Sequence, residues 1–381
     1  MTAATKSRKS KKPAKPPPPK FVRPESRWKR AWRDYRLILI VGLLYVLGVT
    51  AEAVYCHVPF RQFARVGYAI LLVFVKCVML LVWFGVWIFF REFIRGREKG
   101  LWRRISAAHN RMSGTARDYF EGDVFAYGCV SVLVLFAIDF FFIQKSLIRR
   151  INPYVWDPAL AEAEKTVHFG HYPHEWVIPW SDMLGLGTVF DVAYYLWFVM
   201  MYLVLGYNLF LDGNLRRRLQ FIWGFLLSWV ALGSLGATYF SSVGPLFFHD
   251  FYPNHLNMYA DLVRHFQDKG PHDFFIAYNS RTLLLGWSRN EQLVNINALS
   301  AMPSMHIAVA WLAVLYARGL SRRWFAAACV FCALIFLGTI YFGFHYALDS
   351  YVSIAAVTLV WWITGRLLKR RYPEEVELRR T

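Results

Sequence analysis

Eight stretches of this 381-residue chain are long and apolar enough to cross a lipid bilayer. A membrane-spanning helix needs about 20 consecutive, mostly apolar residues. The chain is 56% hydrophobic and only 18% charged, whereas soluble domains average about 45–50% apolar and about 25% charged residues. This composition excludes an ordinary soluble enzyme and predicts an all-α, polytopic transmembrane helical bundle. We place the spans at 37–55, 67–90, 124–143, 183–207, 221–248, 299–317, 325–344 and 346–365.

The Lys and Arg residues are unevenly distributed along the chain, which has a formal net charge of +19. Of 44 basic residues, 33 lie in five segments: 1–36, 91–121, 208–220, 318–324 and 366–381. An even number of spans puts all five segments on one side, which the positive-inside rule makes cytoplasmic, with both termini inside. We expect this face to contact anionic lipid headgroups. We predict no nucleic-acid partner, because no nucleic-acid-binding fold accompanies the charge.

Two histidines and an aspartate form the motifs that carry chemistry. His306 lies at the start of the predicted span 299–317, and His345 and Asp349 lie where the last two spans meet. Two spans and one short Arg-rich turn separate the two histidines. Both histidines therefore return to the same face of the membrane, which the charge distribution predicts to be non-cytoplasmic.

The spacing of these residues predicts acid–base or nucleophilic chemistry. His345 and Asp349 are at i, i+4, so on one helix they share a face and can hydrogen-bond. A carboxylate held on one ring nitrogen fixes the tautomer and leaves the other nitrogen free as a nucleophile or base. His306 can then act as the complementary acid. Pro303-Ser304 predicts a helix N-terminus at the site, where free N–H groups favour a phosphate or another anion.

These two motifs resemble those of a known family. Pro-Ser-Met-His at 303–306 and His-Tyr-x-x-Asp at 345–349 are similar to the second and third signature blocks of the type 2 phosphatidic acid phosphatase superfamily. With Ser-Ala-Met at 300–302, the pattern most resembles the inositol phosphorylceramide synthase (inositolphosphotransferase) branch. The resemblance covers roughly residues 180–365 and implies a six-helix phosphatase-like core.

The resemblance also implies a phosphohistidine mechanism that uses no metal and no other cofactor. His345 would attack phosphorus, Asp349 would orient His345, and His306 would protonate the leaving group. Water or a lipid hydroxyl would then take the phosphoryl group. The chain accordingly divides into four parts. A disordered basic cytoplasmic tail (1–36) is followed by accessory transmembrane helices (37–143). A phosphatase-like catalytic transmembrane core (144–367) contains the outer loops 144–182 and 249–298, and a second cytoplasmic tail covers 368–381.

The basic residues of the family pattern are degenerate in this chain. The first block, Lys followed six residues later by Arg-Pro, is not found in the membrane region. Met305 stands where the second block usually has Gly, and Thr339 stands where the third block has Arg. Other groups must therefore neutralise the phosphate. The candidates are Ser304, Ser241, Ser242 and Arg281, with Lys269 as an alternative to Arg281.

Three further polar features lie outside these motifs. The stretch Lys145–Arg150 breaks the charge rule, and we interpret it as a short amphipathic helix in the outer interface. Asp191 could line the site or pair with a cation. The histidines at 168, 171 and 174 have the density of a metal site, but Pro173 interrupts a helix there, so no metal site is predicted.

The sequence therefore predicts a multi-pass integral membrane enzyme that acts on a lipid phosphate at the periplasmic or luminal face, with a bacterial inner membrane favoured. We favour a phosphotransferase that moves a phosphoryl or phospho-headgroup from a lipid donor to a lipid hydroxyl. The reason is that the Phe-rich segment 247–275 could exclude water. The alternative is a phosphatase that hydrolyses phosphatidic acid or a polyprenyl (pyro)phosphate. A more distant alternative is a non-enzymatic protein that binds lipid, or haem through His306 and His345.

Overall fold

Helices make up most of the computed structural model, which describes residues 25–58, 82, 84–255, 258–269, 275–289 and 299–379. Within these residues, strand pairing is limited to one bridge between Asn214 and Glu377. The predicted all-α class is therefore confirmed. In chain order the helices are α1 (Arg27–Tyr55), α2 (84–95), α3 (Leu101–Glu121), α4 (Asp123–Ile151), α5 (Asp157–Val167), α6 (Pro173–Met183), α7 (Gly187–Phe210), α8 (Leu215–Tyr239), α9 (Ala260–Asp268), α10 (Ile276–Arg289), α11 (Met305–Arg318), α12 (Arg322–Tyr341) and α13 (Ala347–Arg371).

Six of the described helices are long and apolar enough to span a membrane: α1, α4, α7, α8, α12 and α13. Helix α11 is also apolar but has only 14 residues. It begins later than predicted because Ser304 is its N-cap, whose side chain accepts a hydrogen bond from the Ile307 N–H. The predicted span 67–90 lies mainly outside the described residues, and only its end falls in α2.

Helix α1 corrects part of the predicted disordered tail, because residues 27–36 are helical. Ala31 and Tyr35 are fully buried in the main apolar core. Asp34, on the same stretch, accepts a 2.6 Å hydrogen bond from the Tyr127 hydroxyl of α4. The basic composition predicted disorder, but this stretch has an apolar face that packs on α4. Packing of such a face stabilises most helices in proteins.

Helix α4 corrects the interpretation of Lys145–Arg150 as a separate interfacial helix. The helix runs without a break to Ile151, so this stretch forms its last two turns. Leu147 and Ile148 are fully buried there. The apolar side chains between the charges pack inside the bundle, and the partly buried Lys145 lies near the candidate site.

The starts of α11 and α13 lie at one end of the bundle, and a group of arginines lies at the other. Helices α11, α12 and α13 pack on one another and are joined by the short connections 319–321 and 342–346. The starts of α11 and α13 therefore lie together, at what we call the histidine end. The other end, which we call the basic end, holds the arginines at the end of α11, the start of α12 and the end of α13.

Arg218 organises the basic end. Its side chain is fully buried and donates hydrogen bonds to the carbonyl oxygens of Leu209, Asp212 and Val124. These carbonyls belong to the end of α7, the turn after it and the start of α4. A guanidinium has five N–H donors and no acceptor, which suits this set of backbone oxygens.

Replacing Arg218 by leucine is expected to destabilise the protein by about 3 kcal/mol, because each buried carbonyl left unpaired costs about 1–3 kcal/mol. Thermal unfolding in detergent measures the effect. The control is Arg216→Leu, which removes an ion pair with the exposed Glu375 and a long hydrogen bond to the Pro373 carbonyl and should cost less than about 1 kcal/mol. Equal destabilisation by the two variants would contradict the role given to Arg218.

Candidate active site

His345 lies in the connection between α12 and α13, and only 6% of its surface is exposed. Its Nδ1 is 2.7 Å from the carbonyl oxygen of Ala301. A carbonyl oxygen can only accept a hydrogen bond, so we assign the proton of the neutral ring to Nδ1. Nε2 therefore keeps its lone pair, as a nucleophile requires.

His306 is the second residue of α11 and faces that lone pair. Its Nδ1 is 3.4 Å from Nε2 of His345. Its ring stacks on Tyr194 of α7 at 4.4 Å between centroids, and the indole N–H of Trp197 donates a 2.8 Å hydrogen bond to its backbone carbonyl. Two aromatic residues of α7 thus fix the position of His306 against His345. The structure brings the two predicted histidines into direct contact.

Asp349 is close to His345 but is not its hydrogen-bond partner as predicted. Helix α13 begins at Ala347, so His345 precedes the helix and the two residues do not share a helical face. Oδ2 of Asp349 is 3.4 Å from Nδ1 of His345 and accepts a 3.0 Å hydrogen bond from the Tyr346 N–H. The carboxylate caps α13, and its influence on His345 is mainly electrostatic.

The predicted serine ligands lie next to the histidines, with different partners. Ser304 is buried and caps α11, so the free N–H groups of that helix begin beside His306. The Ser242 hydroxyl accepts a hydrogen bond from the Met302 N–H at 3.1 Å. The Ser241 hydroxyl is buried and has no hydrogen-bond partner within the described residues. The Ser242 hydroxyl therefore already bonds to the backbone before α11, whereas the Ser241 hydroxyl has no partner among the described residues.

The two charged candidates from the outer segments have structural partners. The guanidinium of Arg281 pairs with Asp250 and also donates to the Leu246 carbonyl. Asp191, on α7, accepts hydrogen bonds from the N–H groups of Ile276 and Ala277 at 2.9 and 2.8 Å. Arg281 is neutralised by its own partner, and Asp191 caps α10, with no ion pair to a cation among the described residues.

Lys145 on α4 is a candidate site residue that the sequence interpretation missed. It lies near enough to His306 for their charges to interact, and no hydrogen bond or ion pair joins it to another described residue. A partial sequence signal exists, because Asn152-Pro153 follows Lys145 after six intervening residues, much as Arg-Pro follows Lys in the first family block. The Asn152 amide donates to two carbonyls at the end of α8 and so joins that helix to α4.

Helix α5 carries two buried carboxylates, Asp157 and Glu164. They accept hydrogen bonds from Tyr346 and Ala347, the two residues after His345. Burial raises the pKa of both groups, that of Glu164 to about 7, where the Asp349 charge adds to the rise. The sequence interpretation did not single them out, because α5 falls inside a segment predicted as an outer loop. Their hydrogen bonds reach residues far away in the chain, which no local pattern reveals.

Aromatic side chains cover the histidines. Phe344 stacks on Tyr194 at 5.5 Å between centroids, and Phe247 contacts Phe344 at 6.2 Å. Phe247 and Phe275 are buried, while Phe274 lies outside the described residues. Phe247, Phe344 and Tyr194 thus form an apolar layer that extends to the ring of His306.

The three histidines at 168, 171 and 174, which lie between the end of α5 and the first turn of α6, have separate partners. His168 contacts the Tyr351 hydroxyl, His171 contacts Glu175, and His174 contacts Asp261. Within the described residues, no group of three or more His, Cys, Asp or Glu side chains could hold a metal ion. His168 thus contacts α13 and His174 contacts α9, whereas the contact of His171 is local.

Comparison with known proteins gives one match. The family model of the PAP2 superfamily matches residues 158–363, which is more than half of the chain. The matched region contains His306, His345 and Asp349, whereas Lys145 and Asp157 lie outside it. No curated protein and no solved structure matches the chain.

Proposed function

The chain belongs to the PAP2 superfamily, and on that premise we propose that it is a membrane phosphotransferase with a phosphohistidine intermediate at His345. Membership in the superfamily supports a lipid phosphatase or phosphotransferase type of function. One observation carries the finer proposal. Nδ1 of His345 is held by the Ala301 carbonyl, and this leaves Nε2 facing His306.

The proposed first step forms the phosphoenzyme. Nε2 of His345 attacks phosphorus, and the bond from phosphorus to the lipid alcohol oxygen breaks. His306 donates a proton to that oxygen, so the lipid leaves as a neutral alcohol. The carbonyl of Ala301 and the carboxylate of Asp349 stabilise the positive charge that develops on the imidazole of His345.

The proposed second step transfers the group to an acceptor. A lipid hydroxyl attacks phosphorus, His306 takes the hydroxyl proton, and the bond from phosphorus to Nε2 of His345 breaks. Both histidines then return to their starting protonation states. The aromatic layer of Phe247, Phe344 and Tyr194 supports transfer over hydrolysis, because it limits the access of water to the phosphohistidine.

We propose that Lys145 and the start of α11 hold the phosphate charge in both steps. Lys145 supplies a cation near His306, and the N-terminus of α11 supplies backbone N–H donors beside Ser304. The unpaired hydroxyl of Ser241 is a further donor. Arg281 is not part of this set, because Asp250 already pairs with it.

We also propose that the histidine end faces the periplasm or lumen and the basic end faces the cytoplasm, with both termini inside. The concentration of basic residues at one end supports this orientation. Anionic headgroups would then contact the basic end. A bacterial inner membrane is the favoured location.

The test is product analysis with labelled lipids. Detergent-purified protein is incubated with phosphatidylinositol labelled in its phosphate, with and without ceramide, and separately with labelled phosphatidic acid. We expect label to move to ceramide and an acid-labile phosphoenzyme to be trapped. Free phosphate released from phosphatidic acid without an acceptor would establish the phosphatase instead. Absence of any labelled product or phosphoenzyme, or a Soret absorption band, would contradict the proposal.

Substitution of Lys145 by methionine is expected to lower kcat/KM for the lipid donor by about 10²-fold, the usual effect of removing one group that stabilises transition-state charge. The side chain keeps its length and apolar character, so folding should be maintained. The control is Lys165→Met, which removes an exposed lysine on α5 and should leave kcat/KM unchanged. Equal kcat/KM values in the two variants would show that Lys145 does not act on the substrate.

A further inference from the structure

Helix α5 carries two buried carboxylates on one face. Asp157 and Glu164 are seven residues apart, which is about two helical turns, so both point to the same side. They are 0% and 2% exposed, whereas Glu162, between them, is exposed. Buried carboxylates occur where hydrogen bonds or charges compensate for lost hydration.

Asp157 joins two segments that meet at the histidine end. Its carboxylate accepts hydrogen bonds from the N–H groups of Val243 and Gly244 at 3.0 and 2.9 Å, in the loop after α8. It also accepts a 2.8 Å hydrogen bond from the hydroxyl of Tyr346, the residue after His345. One carboxylate therefore ties the Ser-Ser-Val-Gly loop to the connection that carries His345.

Glu164 holds the start of α13. One of its oxygens accepts a hydrogen bond from the N–H of Ala347, the first residue of the helix, and the other accepts from the Tyr259 hydroxyl at 2.7 Å. Glu164 and His345 also line the same cavity of about 10 Å³, which is the space of about one water molecule. Glu164 thus fixes the backbone two residues after His345.

The loop held by Asp157 packs closely on the residues just before His345. The Leu246 N–H donates a 2.7 Å hydrogen bond to the Gly343 carbonyl. Gly244 has φ +93°, and a Cβ there would lie 2.6 Å from the Phe344 carbonyl oxygen, so only glycine permits this approach. The backbone is therefore restrained on both sides of His345, and both restraints depend on α5.

We propose that Asp157 and Glu164 are positioning residues, which hold His345 in its reactive orientation from α5. The inference rests on the proposed function, because it concerns the nucleophile of that reaction. It adds two residues that touch neither the substrate nor the reacting atoms. They act through the backbone of Val243, Gly244 and Ala347.

In its charged form Glu164 accepts both hydrogen bonds through carboxylate oxygens, and such charge-assisted bonds are stronger than neutral ones. With a pKa raised to about 7 by burial, Glu164 takes up a proton as the pH falls through the neutral range. A proton on the oxygen that faces Tyr259 reverses that hydrogen bond, because a hydroxyl can also accept, and the Ala347 N–H then bonds to a neutral carboxyl group. Neutral hydrogen bonds are about half as strong as charge-assisted ones, so the hold on α13 weakens at lower pH. The titratable groups that face Glu164 from the elements around it are Tyr259, Asp349, His174, His345, Tyr172 and Tyr351.

The test compares Glu164→Gln with Glu162→Gln, a matched removal of one charge from the same helix. At pH 8 we expect kcat of the Glu164→Gln variant to be about tenfold lower than that of the control, since small misplacements of reacting groups cost 10-fold to 10²-fold. KM should agree within about twofold, because substrate contacts are unchanged. At pH 5.5 the ratio of the two kcat values should approach one, because wild-type Glu164 is then protonated.

A second variant, Tyr259→Phe, keeps the ring and removes one donor to the charged carboxylate. It should move the acidic limb of the kcat profile to higher pH, because loss of that donor favours protonated Glu164. His345→Ala separates the two proposals. If His345→Ala is as active as wild type, the proposed function fails. If His345→Ala is inactive but Glu164→Gln matches Glu162→Gln at both pH values, only the positioning role is overturned.

Discussion

Replacing His345 by alanine is expected to lower turnover of the lipid donor by about 10⁴-fold or more, as loss of a covalent nucleophile does in enzymes. The acid-labile phosphoenzyme should disappear completely. Rapid-quench trapping with labelled donor, together with initial rates, measures both effects. The variant should fold, because the position is held by backbone contacts on both sides of the side chain.

The control for this prediction is His171→Ala, which removes an exposed imidazole that pairs with Glu175. It should trap as much phosphoenzyme as wild type. A His345→Ala protein that still forms phosphoenzyme would place the nucleophile on another residue and overturn the proposed mechanism.

Replacing His306 by alanine is expected to lower kcat/KM for the lipid donor by about 10³-fold, within the range of general acid catalysis. The loss should depend on the leaving group. A long-chain alkyl nitrophenyl phosphate releases a stable phenolate that needs no proton, so its rate should fall much less. The ratio of the two kcat/KM values, in wild type and variant, is the measurement.

The same pair of substrates distinguishes His306 from His345. His345→Ala should lose activity toward both substrates, because both require the nucleophile. Equal losses for the two substrates in His306→Ala would assign that residue a role other than proton transfer to the leaving group.

The part of the site that could be predicted from the sequence is the part that local motifs encode. His306 and His345 were expected at one end of the bundle because two spans separate them, and the structure places their rings in contact. Ser304 was expected at a helix start and is the N-cap of α11. The all-α class followed from the apolar segments, and the described helices confirm it.

The remaining parts depend on contacts between distant segments. Lys145 looked like an interfacial residue, because its basic neighbours concealed the continuation of α4. Asp157 and Glu164 looked like loop residues, because the backbone groups that they bind are more than 80 residues away. Arg281 was a reasonable cation for phosphate until its pairing with Asp250 was visible. Local motifs in the sequence thus predicted the two histidines, whereas the residues that contact them from distant segments could not be predicted.

The short distance between the two histidines has a consequence for substrate selection. For in-line transfer the nucleophile stands about 3–3.5 Å from phosphorus, and the acid stands about 2.6–3.2 Å from the departing oxygen. The two nitrogens must then be more than about 6 Å apart, whereas Nε2 of His345 and Nδ1 of His306 are 3.4 Å apart here. Under the proposed mechanism, entry of a phosphate therefore has to separate the rings of His306 and His345.

That separation requires free energy, which must come from parts of the substrate that do not react. Acyl chains that bind along the apolar helices can supply it, and a small water-soluble phosphate ester cannot. Under the proposed mechanism, the contact between the imidazoles would favour donors with long acyl chains. We expect kcat/KM to rise steeply with the chain length of the donor, and we expect inorganic phosphate to be a weak inhibitor.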